Sequence, residues 1–341
     1  MRNFHNPIPD LEGANILVTG GTGSFGRAFV HAVLERFKPR RVVVFSRDEM
    51  KQFEMQQELP REHQGRVRFF IGDVRDAQRL ELAMREVDVV VHAAALKQVP
   101  AAEYNPFECV KTNIHGTENV VTAALRTNVR RVIALSTDKA ASPINLYGAS
   151  KLAADKIMVA ANNLSGTQHT RFAVVRYGNV LGSRGSVVPF FQRMIANGAE
   201  RLPLTHPEMT RFWITLRQGV DFVFSSLAMM SGGEIFVPKI PSMKVVDIAR
   251  ALAPDLEHDY IGIRPGEKLH EVMITVDDAR STLELPDRYI IEPVLAFWTN
   301  GHLAGSGAER VSEGFEYSSN RNGEWLDAAS LHKLMKDSGL V

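Results

Sequence analysis

The sequence has one cysteine, Cys109, so an intrachain disulfide is impossible. That removes the disulfide-scaffold class and fits a reducing compartment. It has no excess of either charge: 40 Lys and Arg stand against 39 Asp and Glu, a formal net charge of +1. A binder of phosphate backbones clusters its cations. The basic runs here are short, as in Lys38 to Arg41, and suit a solvated turn, so no nucleic-acid partner is expected. No stretch approaches the roughly 18 apolar residues of a membrane span, and the first ten residues lack a basic-then-apolar leader. The expectation is a cytoplasmic protein without membrane insertion. The 11 histidines show no His-x-x-x-His or His-Glu-x-x-His spacing, and no metal is expected. Internal repeats and heptads are also missing.

What remains is an ordinary globular composition, 45% apolar and 23% charged over 341 residues. This length allows roughly two domains of about 150 residues. Short apolar runs at Asn15–Thr19, Arg41–Phe45, Val67–Ile71, Val87–His92, Arg131–Leu135 and Arg171–Arg176 read as strands. Between them, Ser24–Phe37, Asp48–Leu59, Ala77–Met84, Val110–Leu125 and Ser150–Asn162 read as helices. Strands without polar alternation, separated by helices, predict an α/β fold: a Rossmann-type parallel sheet with helices on both faces. Past residue 180 prolines break the pattern, with helical spacing regained at Val187–Ile195 and Ser242–Leu252. The reading is a dinucleotide-binding domain over 12–180 and a smaller C-terminal substrate lobe over 181–330, partly interleaved. The polar tail Gly301–Glu316 suits a loop or peripheral lobe.

Thr19-Gly-Gly-Thr-Gly-Ser-Phe-Gly26 lies between a predicted strand and helix, the context a dinucleotide fingerprint requires. Gly20 permits a sharp turn, Gly23 lets backbone approach a pyrophosphate, and Gly26 lets the helix pack on the sheet. Thr22, Ser24 and Phe25 complete the candidate loop, and the helix N-terminus faces phosphate. At the end of the second strand, Ser46 stands where NAD enzymes carry an acid, with Arg47 next. A hydroxyl and a cation suit a 2′-phosphate, so NADP is expected; Asp48 is either a counter-signal or a helix cap. Asp73 and Val74 follow the third strand and can meet adenine, or Asp73 can cap a turn. Ala93, Ala94 and Ala95 after the fourth strand let a dinucleotide lie against backbone.

The run Ser136-Thr-Asp-Lys-Ala140 through Tyr147 to Lys151 carries the chemistry. Tyr147 and Lys151, four apart, share a helical face. A cation lowers a phenol's pKa, so Tyr147 can take a hydroxyl proton while hydride moves to nicotinamide. Lys151 can also hold the nicotinamide ribose. Thr137 can donate to a substrate oxygen. Asp138 and Lys139 exceed what a simple dehydrogenase needs. A hexose 4,6-dehydratase needs both an acid and a base, because a C4 ketone acidifies C5–H and the C6 hydroxyl must leave protonated. The other reading of the pair is a surface ion pair.

With Ser46-Arg-Asp-Glu49, His92-Ala-Ala-Ala-Leu-Lys-Gln-Val-Pro100, Arg176-Tyr-Gly-Asn-Val180 and Arg264-Pro-Gly-Glu-Lys268, the chain resembles the extended short-chain dehydrogenase/reductase family over about residues 12 to 330. Within it, the chain is similar to inverting UDP-N-acetylglucosamine 4,6-dehydratases of the kind that opens a pseudaminic acid pathway. The resemblance implies UDP-N-acetylglucosamine as substrate and a UDP-2-acetamido-2,6-dideoxy-β-L-arabino-hexos-4-ulose as product. It assigns Lys139 as base at C5 and Asp138 as acid toward the C6 hydroxyl, since retaining relatives carry Glu where Lys139 stands. It further implies sugar-nucleotide contacts from Lys97, Asn179, Arg211, Arg264 and Glu267, and a homo-oligomer, a dimer or dimer-based hexamer. A retaining dehydratase, a 4-epimerase and a catalytically silent dinucleotide sensor are the alternatives.

Overall fold

The computed structural model describes residues 2–166, 170–294 and 307–340. Its main feature is a ten-stranded sheet. In spatial order the strands are Val67–Ile71, Arg41–Ser46, Asn15–Thr19, Val89–His92, Arg131–Thr137, Arg171–Tyr177, Ile235–Pro238, Arg288–Ile291, Thr282–Glu284 and Glu309–Arg310. The first seven run parallel and the last three are antiparallel. Strands such as Val42–Phe45 and Val89–Val91 are buried throughout, which is why they lack polar alternation. Helices Ser24–Arg36 and Leu216–Met229 pack together, as do Ala77–Ala83, Gly116–Arg126 and Leu146–Ala160. The α/β parallel-sheet expectation holds. The first strand has neighbours leading away in opposite chain directions, so a crevice opens beyond its carboxyl end, where α/β sheets bind ligands.

A smaller lobe stands over this crevice. Ser242–Lys244, Thr210–Ile214 and Asn179–Val180 form a three-stranded sheet, and Arg201–Leu204 pairs with Glu257–Tyr260. Two apolar clusters support them, one around Trp213, Val188 and Leu331, the other around Phe191, Leu202 and Met209. The strands Ile235–Pro238, Thr282–Glu284 and Arg288–Ile291 return from this region to the large sheet.

Several elements depart from the pattern-based reading. The helix expected from Ser150 begins at Leu146, because Asn145 Oδ1 accepts from the Gly148 N–H at 2.7 Å and caps it. The single helix expected over Val110–Leu125 is a π-helical turn, Val110–His115, running into the α-helix Gly116–Arg126. Ser242–Lys244 pairs as a strand, and the helix starts at Val245. In the tail Gly301–Glu316, expected as a loop or peripheral lobe, residues 301–306 lie outside the described residues, while Glu309–Arg310 forms an edge strand. No helix among the described residues is long and apolar enough to cross a membrane.

Candidate active site

The glycine turn closes tightly. Gly20 adopts φ +65°, and a Cβ there would sit 2.9 Å from the Ala94 nitrogen. A Cβ on Gly26 would meet Gly21 Cα at 2.5 Å. Side chains at either position would push apart the strand, loop and helix that form the cradle. Beneath it, Thr19 Oγ1 lies 2.7 Å from His92 Nδ1, and His92 Nε2 lies 3.2 Å from Thr117 Oγ1. Since the Thr117 hydroxyl donates to the Asn113 carbonyl at 2.7 Å, it accepts from His92 Nε2–H, and Thr19 donates to Nδ1. Thr19 Oγ1 in turn accepts from the Ala93 and Ala94 amides. The loop Ala93–Ala95 is thus tied to the glycine-turn strand. Burial holds His92 neutral, with its pKa down to about 3, and Lys151 adds to the effect.

A cleft of about 890 Å³ runs from this turn to the second lobe. It is lined by Gly20, Thr22, Gly23, Ser24, Phe25, Gly26, Ser46, Arg47, Asp73, Val74, Ala93–Ala95, Tyr147 and Lys151, all the residues expected to hold a dinucleotide. At the far end, Gln52 Nε2 donates to Ser46 Oγ at 3.0 Å, and Arg47 faces the Asp73 carboxylate at 3.7 Å. Asp73 is itself gripped by Arg75 Nη2 at 2.7 Å. Asp48 caps the following helix by accepting from the Lys51 N–H at 3.1 Å.

The chemistry-bearing residues converge midway along the cleft. Thr137 ends a central strand, and Tyr147 and Lys151 project from the helix beginning at Leu146. Lys151 Nζ donates to the Leu135 carbonyl at 2.7 Å, and burial lowers its pKa, partly offset by Asp155 one helical turn on. Asp155 accepts from Ser136 Oγ at 2.8 Å and pairs with Arg176 at 3.3 Å, a buried support that sequence reading missed. Burial pushes the Tyr147 phenol up to about 12, and the cation that works against this is Lys139. Thr137 Oγ1 donates to Asp138 Oδ1 at 2.9 Å, and Lys139 Nζ reaches the same oxygen at 3.1 Å. Asp138 is fully buried behind them and is not on the cleft wall.

Glu271 was not foreseen. It is 1% exposed, lines the cleft, and lies 3.0 Å from Lys139 Nζ. The signal available was an acid placed just before the apolar strand Val272–Ile274, three residues beyond the Arg-Pro-Gly-Glu-Lys turn. Burial favours a neutral Glu271, but Lys139, Arg211 and Lys268 outweigh burial and hold its carboxyl below the usual range. Burial alone would lower Lys139, yet the carboxyls of Asp138 and Glu271 hold it above the ordinary lysine value. Asp138 is raised, by burial first.

Of the residues expected on the sugar-nucleotide side, Lys97, Asn179, Arg211, Arg264 and Glu267 all line the cleft. Lys97 Nζ donates across it to the Arg184 carbonyl at 2.9 Å. Arg211 donates to the carbonyls of Thr210, Lys268 and Leu269, so its guanidinium braces the lobe from within. Arg264 is exposed, and its turn is closed by the Glu267 N–H donating to the Arg264 carbonyl at 3.0 Å. Lys268 and Tyr177 also line the cleft and were not singled out from sequence.

A doubly wound sheet, a glycine turn and a Thr, Tyr and Lys set around one cleft define a dinucleotide-dependent enzyme of the extended short-chain dehydrogenase/reductase type. The chain belongs to the polysaccharide biosynthesis protein family, whose model matches residues 16–293. It is 54% identical to a Campylobacter jejuni UDP-N-acetylglucosamine 4,6-dehydratase (inverting) over 94% of this chain and 97% of that protein. Among solved structures it is similar to Pen from Bacillus thuringiensis, with TM-score 0.88 and 36% identity, covering 98% of this chain and 100% of that one. DesIV, a dTDP-glucose 4,6-dehydratase from Streptomyces venezuelae, shares the fold at TM-score 0.67 and 24% identity over 75% of this chain and 86% of that one.

The expectation of NADP is corrected here. DesIV and further solved sugar-nucleotide enzymes of this fold carry NAD. The local geometry explains why Ser46 and Arg47 misled. The Ser46 hydroxyl accepts from Gln52, and Arg47 faces Asp73, so each has a partner within the protein that its place after the strand did not reveal.

Proposed function

We propose that this chain is an NAD-dependent UDP-N-acetylglucosamine 4,6-dehydratase that inverts C5, giving UDP-2-acetamido-2,6-dideoxy-β-L-arabino-hexos-4-ulose. One observation carries the reading: Lys139 lines the cleft that also holds the glycine turn, beside Thr137 and Tyr147, and Asp138 sits directly behind it, hydrogen-bonded to Thr137 and Lys139. Epimerisation at C4 alone does not require that acid–base pair. The identity to the inverting Campylobacter enzyme supports the same assignment.

The cradle at Gly20 and Gly26 and the small side chains Ala93–Ala95 fit a dinucleotide pyrophosphate. When bound there, NAD would supply the hydride acceptor for C4 oxidation and the hydride donor for C6. Tyr147 takes the C4 hydroxyl proton and Thr137 donates to the same oxygen. Lys151 holds the nicotinamide ribose. Lys139 removes the C5 proton; the electrons of that bond form C5=C6 as the C6–O bond breaks. Asp138 supplies the proton that leaves with the hydroxyl as water; Thr137 and Lys139 donate to its Oδ1 and hold it beside the cleft. Lys97, Asn179, Arg264 and Glu267 bind the sugar nucleotide, and Arg211 shapes its pocket. Residues 12–180 hold the cofactor and 181–330 the sugar, with interleaving. A homo-oligomer and a cytoplasmic location belong to the same proposal.

Proton NMR of the protein with UDP-N-acetylglucosamine in deuterated water tests it. The expected product is a hydrated 4-keto sugar with a C6 methyl, deuterium at C5 and L-arabino couplings. D-xylo couplings would leave a retaining dehydratase, and a 4-epimer alone would leave an epimerase.

A further inference from the structure

Two carboxyl groups compete for one ammonium in this site. Lys139 Nζ lies 3.1 Å from Asp138 Oδ1 and 3.0 Å from Glu271 Oε1. The competitors are not equal. Glu271 has Arg211 Nε at 3.8 Å and Lys268 Nζ at 4.0 Å as further cations, whereas among the described residues Asp138 pairs within 4 Å with Lys139 alone. Asp138 Oδ2 and Glu271 Oε2 are both buried without a hydrogen-bond partner, so what separates the two carboxyls is the number of cations each faces. Glu271 comes from the second lobe and is fixed there: its N–H donates to Ser319 Oγ at 2.9 Å, and its carbonyl accepts from the Ser319 N–H at 2.8 Å.

Resting on the dehydratase reading above, we propose that Glu271 is a positioning residue that sets the proton count of the Asp138–Lys139 pair. By serving as counter-ion to Lys139, it leaves Asp138 carrying a proton, the form needed to protonate the departing C6 hydroxyl. It also provides the acceptor that lets Lys139 act as a base. The resting pair is ionised, with Glu271 held low and Lys139 held high, so the step runs uphill: Lys139 passes one proton to Glu271 Oε1 and becomes an amine, and its lone pair then takes the C5 proton. The C5–H electrons form C5=C6, the C6–O bond breaks, and the Asp138 proton leaves in water. The trio ends as Asp138 carboxylate, Lys139 ammonium and Glu271 carboxylic acid, with every proton accounted for. Without Glu271, Asp138 faces Lys139 alone, ionises against it, and the acid is lost.

The groups facing Glu271 are Asp138, Lys139, Arg211 and Lys268, with Tyr147 beyond Lys139. The test is Glu271→Gln, with Glu271→Asp as the conservative variant, in the full-length protein loaded with NAD. Three quantities are read: absorbance of the reduced dinucleotide in a single turnover, deuterium entry at C5, and elimination rate against pH. In Glu271→Gln the reduction step is expected to stay within about threefold of wild type, while elimination at pH 7.5 falls about 100-fold or more. The alkaline limb of elimination should move to lower pH by about one pH unit or more, because Asp138 loses its repelling neighbour. Activity therefore returns partly on acidification, which a structural defect would not produce, and Glu271→Asp restores the wild-type limb. Equal loss of reduction and elimination, or an unmoved limb, would overturn the proposal. If wild type itself forms no 4-keto product, the dehydratase reading fails and this inference with it.

Discussion

Asn113 Nδ2 donates to Ser150 Oγ at 2.9 Å, joining the π-helical turn to the helix that carries Tyr147 and Lys151. The same side chain accepts from the Leu96 N–H at 2.8 Å and donates to the Leu96 carbonyl at 3.0 Å. One buried amide therefore holds the cofactor-side loop and the Tyr147 helix in fixed relation, and the π-turn places it there. Asn113→Leu should cost about 2–3 kcal/mol from stranded polar groups. Weaker dinucleotide binding should accompany it, because Ala93–Ala95 and Lys97, on either side of Leu96, line the cleft. Urea melts and a dinucleotide titration check both, and unchanged values in the two would remove the clamp.

At the glycine turn, a methyl at Gly26 meets only backbone: Gly21 Cα at 2.5 Å and the Gly20 and Gly21 oxygens at 2.6 Å. Gly26→Ala should destabilise by about 1–3 kcal/mol and abolish dinucleotide binding. Gly219, inside the helix Leu216–Met229, serves as contrast, because a methyl there would have no neighbour within 4 Å outside its own helix backbone. Gly219→Ala should gain about 0.5–1 kcal/mol. Thermal melts of the two variants should shift in opposite directions; a common direction contradicts the packing argument.

Lys139 is the cation acting on the Tyr147 phenol. Lys139→Met should therefore raise that phenol further, beyond the value near 12 imposed by burial. Reduction of the dinucleotide, which needs the ionised phenol, should then rise with pH along a limb displaced to more alkaline values. Single-turnover absorbance across pH gives the result, and coincident limbs would mean that another group ionises Tyr147.

His92 has a folded pKa lowered to about 3 from an ordinary 6.5, so the unfolded chain binds its proton first. Its contribution to stability is complete above pH 6.5 and is lost as pH falls from there toward 3. Between pH 7 and pH 5 the wild type should lose about 2 kcal/mol more than His92→Gln. Parallel urea midpoints for the two proteins over that range would show that His92 titrates normally.

The cofactor half was legible because its strands are buried on both faces and its turn requires glycine, both of which leave marks in one-dimensional order. Val42–Phe45 and Thr19–Gly26 read directly. Leu216–Met229 did not, since it is buried on nearly every side from Gly219 to Leu227 and shows no polar stripe. Thr210–Ile214 hid for the same reason, being a fully buried strand of a small sheet. Glu271 could not be placed by motif, because its contact with Lys139 depends on a lobe folding back over that residue. Ser46 and Arg47 misled because a side chain's partner, here Gln52 or Asp73, is set by folding and not by position after a strand.

The strand Arg171–Tyr177 pairs on one side with Arg131–Thr137 and on the other with Ile235–Pro238, a segment that comes after the first part of the second lobe. Cutting the gene after residue 180 would therefore bare the backbone edge of an apolar strand and invite self-association. A cofactor-binding fragment and a sugar-binding fragment are not exchangeable modules in this architecture. Changing its sugar preference by recombination calls for replacing loops at the crevice while leaving the chain's path between the two lobes intact.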